Sequence, residues 1–524
     1  MLMTMEKSTY HSSYNLPKAL EYKNGLVFVL CLSLAIKIIL ALFTKVINPD
    51  GVLYISAAQQ FASGDFKAGL AIYPMPAYSL LILLAHFFLR DWIIAALTIN
   101  IVMSVLILIP LYLLTKSLFD SRTAFWASVA FALSPLPNHW SAEVIRGPSF
   151  IFFFAWAAYF GYRAIQTGKL SLFSLAALCA MFSAAFRVEG LIFFPCSILF
   201  LIGLILRRGD YRIARIKGIG ILVALPLVIA AALFLVMGSG WASYGRVNEL
   251  IQKTQTLFGL SLLANYKAIH AQLKTLGTGS YGYNFTEIAR HYMPVIYLIG
   301  LIEVLVKALF PAYLIPLGLG FKRSEIRNRG FILFLSACYL IFVYLYLISM
   351  NTVKERFVLL PALLLYPWIG LGMDRICAFL KRSRKPLILG AILLVIFVAA
   401  PVYRSVSVLW KQDDVVKIAG KWLAEVPEFK GKKIIATDVR IPFYADRKSG
   451  YMRYGDSLSH HGIEEVALSN NVDLVIIKKS IKRKDSIPEL QSFKRVKEFV
   501  GSKSIVVIYF SGDLESGGVT RSHY

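Results

Sequence analysis

The composition of this 524-residue chain excludes a soluble globular protein, because 57% of its residues are hydrophobic and only 16% are charged. Soluble domains carry about 25% charged residues, and the mean hydropathy here is +0.63. The apolar residues fall in runs of roughly 20, the length that an α-helix needs to cross a bilayer. We therefore predict a polytopic α-helical membrane protein, in which the formal net charge of +26 does not indicate nucleic-acid binding.

Apolar runs predict eleven transmembrane helices. Their approximate bounds are 24–46, 92–115, 123–137, 148–162, 171–186, 190–206, 218–237, 294–317, 331–350, 357–373 and 387–403. Lys and Arg are concentrated in the connections on one side, which the positive-inside rule makes cytoplasmic. The basic excess is therefore mainly a topology signal, to which attraction to anionic lipid headgroups adds. An odd number of spans then places the N-terminus in the cytoplasm and the C-terminus outside.

This topology divides the chain into three parts. They are a cytoplasmic segment at 1–23, a transmembrane domain at 24–403 with outer loops at 47–91 and 238–293, and an extracytoplasmic domain at 404–524. In the last part strands are predicted at 433–437, 472–478 and 504–510, with helices at 413–426, 463–469 and 488–500. Strands that alternate with helices predict a small α/β domain, and residues 511–524 are expected to be frayed.

The first outer loop carries two helical patterns that do not span. Residues 51–64 are amphipathic, and residues 78–89 are apolar but too short to cross a bilayer. Both fit helices that lie along the outer surface. The second outer loop is long enough to hold similar helices.

Asp50 follows the first predicted span in the sequence Asn-Pro-Asp-Gly. Two interpretations are open. Pro followed by Asp-Gly is ordinary turn chemistry. A carboxylate at the mouth of a lipid-accessible cavity can instead act as a general base that removes a hydroxyl proton.

Two further charge pairs are predicted on the same side of the membrane as Asp50. Glu143 and Arg146 are three residues apart and would share a face of a helical turn, while Arg187 and Glu189 connect two spans through almost no loop. Each pair is interpreted as a structural ion pair or as part of an anion site. Together they predict a polar cluster at the outer face.

Lys354, Glu355 and Arg356 form a third outer charge group. Arg can bind a phosphate through two N–H groups, and snorkelling at a helix end is the alternative. Glu303 and Lys307 lie four residues apart inside a predicted span. A self-neutralising pair is the first interpretation for them, with ion or proton conduction as the alternative.

Metal and nucleotide motifs are missing from the sequence. His139 is a single histidine in an outer loop, and there is no HExxH motif, Walker A motif or GxSxG motif. The five cysteines fall in spans or near their ends, so no disulfide framework is predicted for the outer domain.

The order of these motifs resembles the GT-C superfamily of membrane glycosyltransferases, especially the protein O-mannosyltransferase-like and lipid A aminoarabinose transferase-like bacterial members. The matching segments are NPDGVLYISAAQQFASGDF at 48–66, YPMPAYSLL at 73–81, ALSPLPNHWSAEVIRGPSFIFFF at 132–154, FRVEG at 186–190 and ERFVLLPALLLY at 355–366. The resemblance covers nearly the whole chain, and an exported α/β domain after the last span is typical of many bacterial relatives.

The resemblance implies a sugar donor carried on a polyprenyl phosphate or diphosphate and delivered at the outer face. Asp50 matches the acid of the first outer loop that is typically catalytic in the superfamily. Many relatives have two adjacent acids there, whereas Asp50 is followed by Gly51. A paired-carboxylate metal site is therefore not expected at this position, and Glu143 is the candidate for a second carboxylate. No cofactor is required by the sequence, and a divalent metal is compatible with it.

The leading hypothesis is an inverting glycosyl transfer to a hydroxyl of a glycan, lipid or protein, at the outer face of a bacterial inner membrane. The candidate residues are Asp50 and Glu143 for catalysis, Arg146, Arg187, Lys354 and Arg356 for the donor phosphate, and Tyr54, Tyr73, His139 and Glu189 for a sugar or acceptor pocket. A membrane transporter or lipid flippase of cell-envelope biogenesis is the alternative. An envelope-assembly protein whose outer domain binds a partner is a further one.

Overall fold

The structure is a computed structural model that describes residues 23–207, 211–237, 263–276, 282–321, 329–410, 412–446, 451–453, 460–482, 487–512 and 520–523. In the described part, the helices are α1 Lys23–Leu42, α2 Pro49–Ala62, α3 Phe66–Ile72, α4 Ala77–Leu89, α5 Trp92–Leu106, α6 Leu108–Leu118, α7 Ser121–Leu133, α8 Pro135–Ser141, α9 Gly147–Thr167, α10 Leu170–Phe186, α11 Phe193–Leu206, α12 Arg212–Met237, α13 Ala264–Leu276, α14 Gly282–His291, α15 Met293–Leu309, α16 Leu314–Gly320, α17 Gly330–Met350, α18 Glu355–Arg382, α19 Pro386–Leu394, α20 Ala400–Trp410, α21 Val415–Glu425, α22 Arg440–Tyr444 and α23 His460–Ser469. The strands are β1 Ile434–Ala436, β2 Tyr451–Arg453, β3 Leu474–Ser480, β4 Lys494–Val500, β5 Ser504–Phe510 and β6 Thr520–His523.

Each of the eleven predicted spans falls on a helical segment. Seven segments of the described chain are long and apolar enough to cross a membrane: Gly25–Leu42, Trp92–Leu118, Val188–Leu206, Arg212–Ala232, Gly330–Met350, Glu355–Arg382 and Pro386–Ser407. An eighth results when α15 is counted together with Phe285–His291, from which it is bent by 74°. The other three predicted spans correspond to α7, α9 and α10. The prediction of a polytopic helical membrane protein is confirmed.

Helix α18 is the centre of the membrane domain. It packs against α7, α16 and α17, and 78% of its apolar stretch is buried, against 11% for the last span. The contact with α16 requires a glycine, because a side chain at Gly372 would overlap the backbone of Pro316. Small residues allow such close backbone approach between membrane helices.

The helices predicted along the outer surface are present as α2 and α4, with the short α3 between them. Both α3 and α4 pack against α2. In the second outer loop the described residues form α13 and α14, as expected, while residues 238–262 and 277–281 lie outside the described part.

The C-terminal domain is built on a six-stranded sheet with the order β2-β1-β3-β5-β4-β6. β1 pairs in parallel with β2 and β3, β5 pairs antiparallel with β3 and β4, and β6 pairs in parallel with β4. Side chains alternate between the two faces of each strand. Ile476 and Ile508 therefore pack under α21, whereas Val475 and Val507 pack under α23. The predicted small α/β domain is confirmed.

Two local predictions for this domain are wrong. The segment predicted as a helix at 488–500 contains strand β4, because Lys494–Val500 pairs along its length with β5. A short turn at Gly501 connects the two strands. The frayed end predicted at 511–524 includes β6, which pairs with β4 from Lys497 to Val500. In both cases pairing with a neighbouring strand outweighs the local pattern.

Glu303 and Lys307 form an ion pair on α15, with 2.5 Å between Glu303 Oε1 and Lys307 Nζ. Their side chains are 60% and 53% exposed. The pair therefore lies on the outer surface of the helix bundle and does not line an internal path. This placement agrees with the self-neutralising interpretation and gives no support to conduction.

Candidate active site

Asp50 lies in the first turn of α2, where the chain leaves the first span. Asn48 caps this helix, since its Oδ1 accepts a hydrogen bond of 2.7 Å from the Gly51 backbone N–H, and Pro49 occupies the first helical position. Both are typical of helix N-termini. Asp50 is exposed and makes none of the capping contacts. Its carboxylate is thus presented to solvent at the end of a helix where the macrodipole favours negative charge.

Close packing at Gly51 leaves no room for a second acid directly after Asp50. A Cβ at position 51 would lie 2.8 Å from Val144 Cβ and 3.1 Å from the Val144 carbonyl oxygen. The start of α2 is therefore pressed against the segment that connects α8 and α9. The residue before Val144 is Glu143, whose carboxylate accepts a hydrogen bond from Asn48 just before Asp50.

We expect Gly51→Asp, which restores two adjacent acids, to lower both stability and activity. Overpacking of this kind costs about 1–3 kcal/mol. Thermal unfolding in detergent and turnover with and without added divalent metal would measure the two effects. A variant that is as stable as the parent and more active with metal would contradict this geometry.

Glu143 is held beside the N-terminus of α2. Asn48 Nδ2 donates to Glu143 Oε2 over 3.3 Å, and His139 Nε2 lies 3.4 Å from Glu143 Oε1. The predicted ion pair between Glu143 and Arg146 is wrong, because residues 142–146 are not helical and the two side chains point to different partners. Arg146 Nη1 instead donates to the Phe186 carbonyl oxygen over 2.8 Å.

Tyr54 lies within electrostatic range of both Asp50 and Arg146. It lies one helical turn after Asp50 on α2, and its ring packs edge-on against Tyr73 with 4.7 Å between the centroids. The guanidinium of Arg146 lies 5.5 Å from the centroid of the Tyr73 ring. Burial raises the pKa of Tyr54, an effect that Arg146 opposes and Asp50 reinforces. Burial therefore disfavours the ionised form of the Tyr54 hydroxyl.

Arg187 and Glu189 form the ion pair that the sequence predicts, with 2.5 Å between Arg187 Nη2 and Glu189 Oε1. The Arg187 guanidinium is flanked by the rings of Phe150 and Phe357, each 5.5 Å away. Tyr339 donates to the Glu189 carbonyl oxygen over 2.8 Å and so fixes the backbone between α10 and α11. Arg187 follows Phe186, whose carbonyl binds Arg146, so the two arginines belong to one cluster.

Arg356 joins this cluster and Lys354 does not. Arg356 lines a small cavity together with Arg187 and Glu189, and its guanidinium lies 5.2 Å from the Phe357 ring. Its side chain is exposed, and none of the described carboxylates pairs with it. Lys354 is exposed in front of α18 and is outside the cavity lining. Arg187 and Arg356 are the two predicted phosphate ligands that line this cavity. Glu189 pairs with Arg187, so Arg356 is the one whose charge no described carboxylate compensates.

The described residues do not form a metal site. Among them no group of three His, Cys, Asp or Glu side chains comes together. Asp50 has Gly51 as its neighbour, and Glu143 already contacts Asn48 and His139.

The C-terminal domain adds residues that the sequence did not single out. A cleft of about 480 Å³ lies between it and the outer face of the membrane domain, lined on that side by Asn48, Pro49 and Glu143. The domain contributes Thr437, Asp438, Arg440, Lys478, Lys479 and Ser480, among others. Polar side chains directly after a predicted strand are a recognisable signal, because binding sites in α/β sheets occur at the carboxyl ends of the strands.

Asp438 holds two of the cations that line the cleft, Arg440 and Lys478, in place. Arg440 donates to both of its carboxylate oxygens over 2.9 and 2.6 Å, and Lys478 Nζ lies 2.9 Å from Oδ2. Burial alone would raise the pKa of Asp438, but the hydrogen bonds and charges of Arg440 and Lys478 outweigh it and hold the pKa well below the usual value. The group is therefore charged at neutral pH and structurally fixed.

Comparisons with known proteins match both the sequence and the fold. Residues 73–242 match the family model described as dolichyl-phosphate-mannose-protein mannosyltransferase. ArnT from Cupriavidus metallidurans bound to undecaprenyl phosphate aligns with a TM-score of 0.57 and 14% identity over 92% of this chain and 97% of that chain. The Archaeoglobus fulgidus oligosaccharyltransferase tethered to an acceptor peptide aligns with a TM-score of 0.56 and 12% identity over 88% and 70%. The sequence matches no curated protein.

The chain thus has the fold of the GT-C membrane glycosyltransferases, and the resemblance drawn from its motifs is confirmed. The match to the family model includes Tyr73, Arg146, Arg187 and Glu189, and it begins after Asp50.

Proposed function

We propose that this protein transfers a sugar from a polyprenyl-phosphate donor to a hydroxyl group of an acceptor glycan, lipid or protein. The reaction takes place at the outer face of a bacterial inner membrane, with the N-terminus in the cytoplasm and the C-terminal domain outside. The observation that carries this proposal is an exposed carboxylate, Asp50, one helical turn before Tyr54, whose ring packs against Tyr73 beside the Arg146 guanidinium, in a GT-C fold. Proteins of similar fold have been solved with undecaprenyl phosphate and with a tethered acceptor peptide.

In the proposed mechanism Asp50 removes the proton of the acceptor hydroxyl as the oxygen attacks the anomeric carbon of the donor. The bond between this carbon and the phosphate oxygen breaks in the same displacement, so the configuration inverts. General-base catalysis of this kind contributes about 10²- to 10⁴-fold to the rate. The polyprenyl phosphate is the leaving group, and no nucleotide is needed.

The arginines act on the leaving phosphate. Arg356 and Arg187 line one cavity, and Arg146 binds the carbonyl of the residue before Arg187. Fixed cations placed where negative charge develops lower the barrier without reorganising during the reaction. The aromatic rings around them, Phe150 and Phe357, exclude water from one side of the guanidinium groups and strengthen this effect.

The acceptor is proposed to enter through the cleft beneath the C-terminal domain. The cleft is polar, its loop side includes Asn48 and Pro49, and Asp50 is the next residue. Its volume of about 480 Å³ is in the range of ligand pockets, which are about 300–1,000 Å³. Glu143 lines the cleft, His139 contacts Glu143, and both are available to orient a hydroxyl group.

The donor site is tested by Arg356→Lys, which keeps the charge but loses the planar fork of N–H groups. We expect binding of undecaprenyl phosphate to weaken by about tenfold, the equivalent of one charge-assisted hydrogen bond of about 1.5 kcal/mol. Arg163→Lys is the matched control, because Arg163 lies near the end of α9 that is remote from this cavity. Titration with the lipid while thermal stability is followed gives both affinities. Equal affinities of parent and Arg356→Lys would remove Arg356 from the donor site.

A further inference from the structure

The C-terminal domain packs against and hydrogen-bonds the short segment that links α1 to α2. Val46 is buried in the core of this domain with Val415 and Ala419, whereas the next residue, Ile47, is buried in the core of the membrane domain. The two side chains point to opposite sides of a non-helical segment. This segment is therefore fixed between the two domains immediately before Asp50.

Both backbone groups of Ile47 bind side chains of the C-terminal domain. The Ile47 N–H donates to the Tyr444 hydroxyl oxygen over 2.9 Å, and Arg440 Nη1 donates to the Ile47 carbonyl oxygen over 3.4 Å. Arg440 and Tyr444 are the first and last residues of α22. We call this pair of contacts the Ile47 anchor.

The anchor is rigid because Asp438 orients Arg440 through two hydrogen bonds and is itself held by Lys478. A bidentate contact fixes the plane of a guanidinium group, which leaves Nη1 directed at Ile47. The other polar contacts of this segment with the C-terminal domain are more exposed. The ion pair between Lys45 and Asp414, for example, joins side chains that are 50% and 41% exposed, and such surface pairs contribute little to stability.

We propose that the C-terminal domain positions the catalytic base, with Tyr444 and Arg440 acting as positioning residues through the Ile47 backbone. This inference rests on the proposed function of Asp50. Ile47 is three residues before Asp50 and one before Asn48, the cap of α2. A displacement of the anchor therefore shifts the start of α2 and the carboxylate with it.

The test is Tyr444→Phe, which removes one hydroxyl and keeps the ring. We expect kcat to fall about tenfold, since misplacement of a reacting group by about 1 Å costs up to about 10²-fold, while the KM for the polyprenyl donor stays unchanged. Tyr509→Phe is the matched control. It removes another hydroxyl of the same domain, one that donates to the Pro488 carbonyl oxygen over 2.6 Å, far from the loop. If both variants lose kcat to the same extent, and this loss matches their loss of folded protein, the inference is overturned.

A second comparison tests whether Tyr444 acts through Asp50. When Asp50→Asn is present, Tyr444→Phe should cause no further loss of kcat, because residues that act as a unit are not additive. A further tenfold loss in the double variant would contradict action through Asp50. The outcomes separate the two proposals. Full activity of Asp50→Asn alone defeats the proposed function, whereas an inactive Asp50→Asn beside a fully active Tyr444→Phe defeats only the positioning role.

Discussion

Replacement of Asp50 by Asn is expected to reduce turnover by about 10²- to 10⁴-fold with little change in stability. The amide has the shape of the carboxylate but cannot accept the proton of the acceptor hydroxyl. Folding should be preserved because Asn48 and not Asp50 supplies the cap of α2. Initial rates and thermal unfolding of the purified variant in detergent give the two quantities.

The matched control for this variant is Asp65→Asn in the same outer loop. Asp65 is also exposed, but its Oδ1 accepts a hydrogen bond of 2.8 Å from the Ala68 N–H and caps α3. This substitution should leave turnover near the parent value, since Asn is also a good cap. If both variants lose activity to the same extent, Asp50 has no special part in the chemistry.

Arg187→Met is expected to have the largest effect on stability. It leaves Glu189 as an unpaired charge in a site where the two side chains are only 10% and 22% exposed. Breaking a buried pair in this way costs about 3–5 kcal/mol. A large fall in the unfolding temperature should therefore accompany the loss of activity in this single variant.

The double variant Arg187→Met with Glu189→Gln separates stability from catalysis. With both charges removed, the unfolding temperature should recover most of its loss. Turnover should remain at least about 10²-fold below the parent, because a cation that stabilises the leaving phosphate is still missing. A double variant that is stable and fully active would show that the pair is purely structural.

Most of the fold could be predicted from sequence because lipid imposes a simple rule. Long apolar runs must form helices in a bilayer, and all eleven predicted runs lie on helical segments. In the C-terminal domain the buried strands were predictable from continuous apolar runs, such as Ser504–Phe510. Strand β4 was not, since Lys494–Val500 is rich in charge and is a strand through its pairing with β5.

The candidate site was only partly predictable. Motif order indicated Asp50 and the arginines, and the structure brings Arg146, Arg187 and Arg356 into one region while leaving Lys354 outside. The Ile47 anchor could not be predicted from motif order. It joins residues 397 positions apart, and no local pattern at Tyr444 indicates a partner in the first outer loop.

Glycosyl transfer itself can be measured by incubating the purified protein with a panel of polyprenyl-phosphate sugars and hydroxyl-bearing acceptors, followed by mass spectrometry of the products. We predict that free polyprenyl phosphate and glycosylated acceptor form in equal amounts with at least one donor, and that Asp50→Asn forms neither at a comparable rate. Consumption of no polyprenyl-linked donor, or equal rates for the parent and Asp50→Asn, would contradict the proposed function.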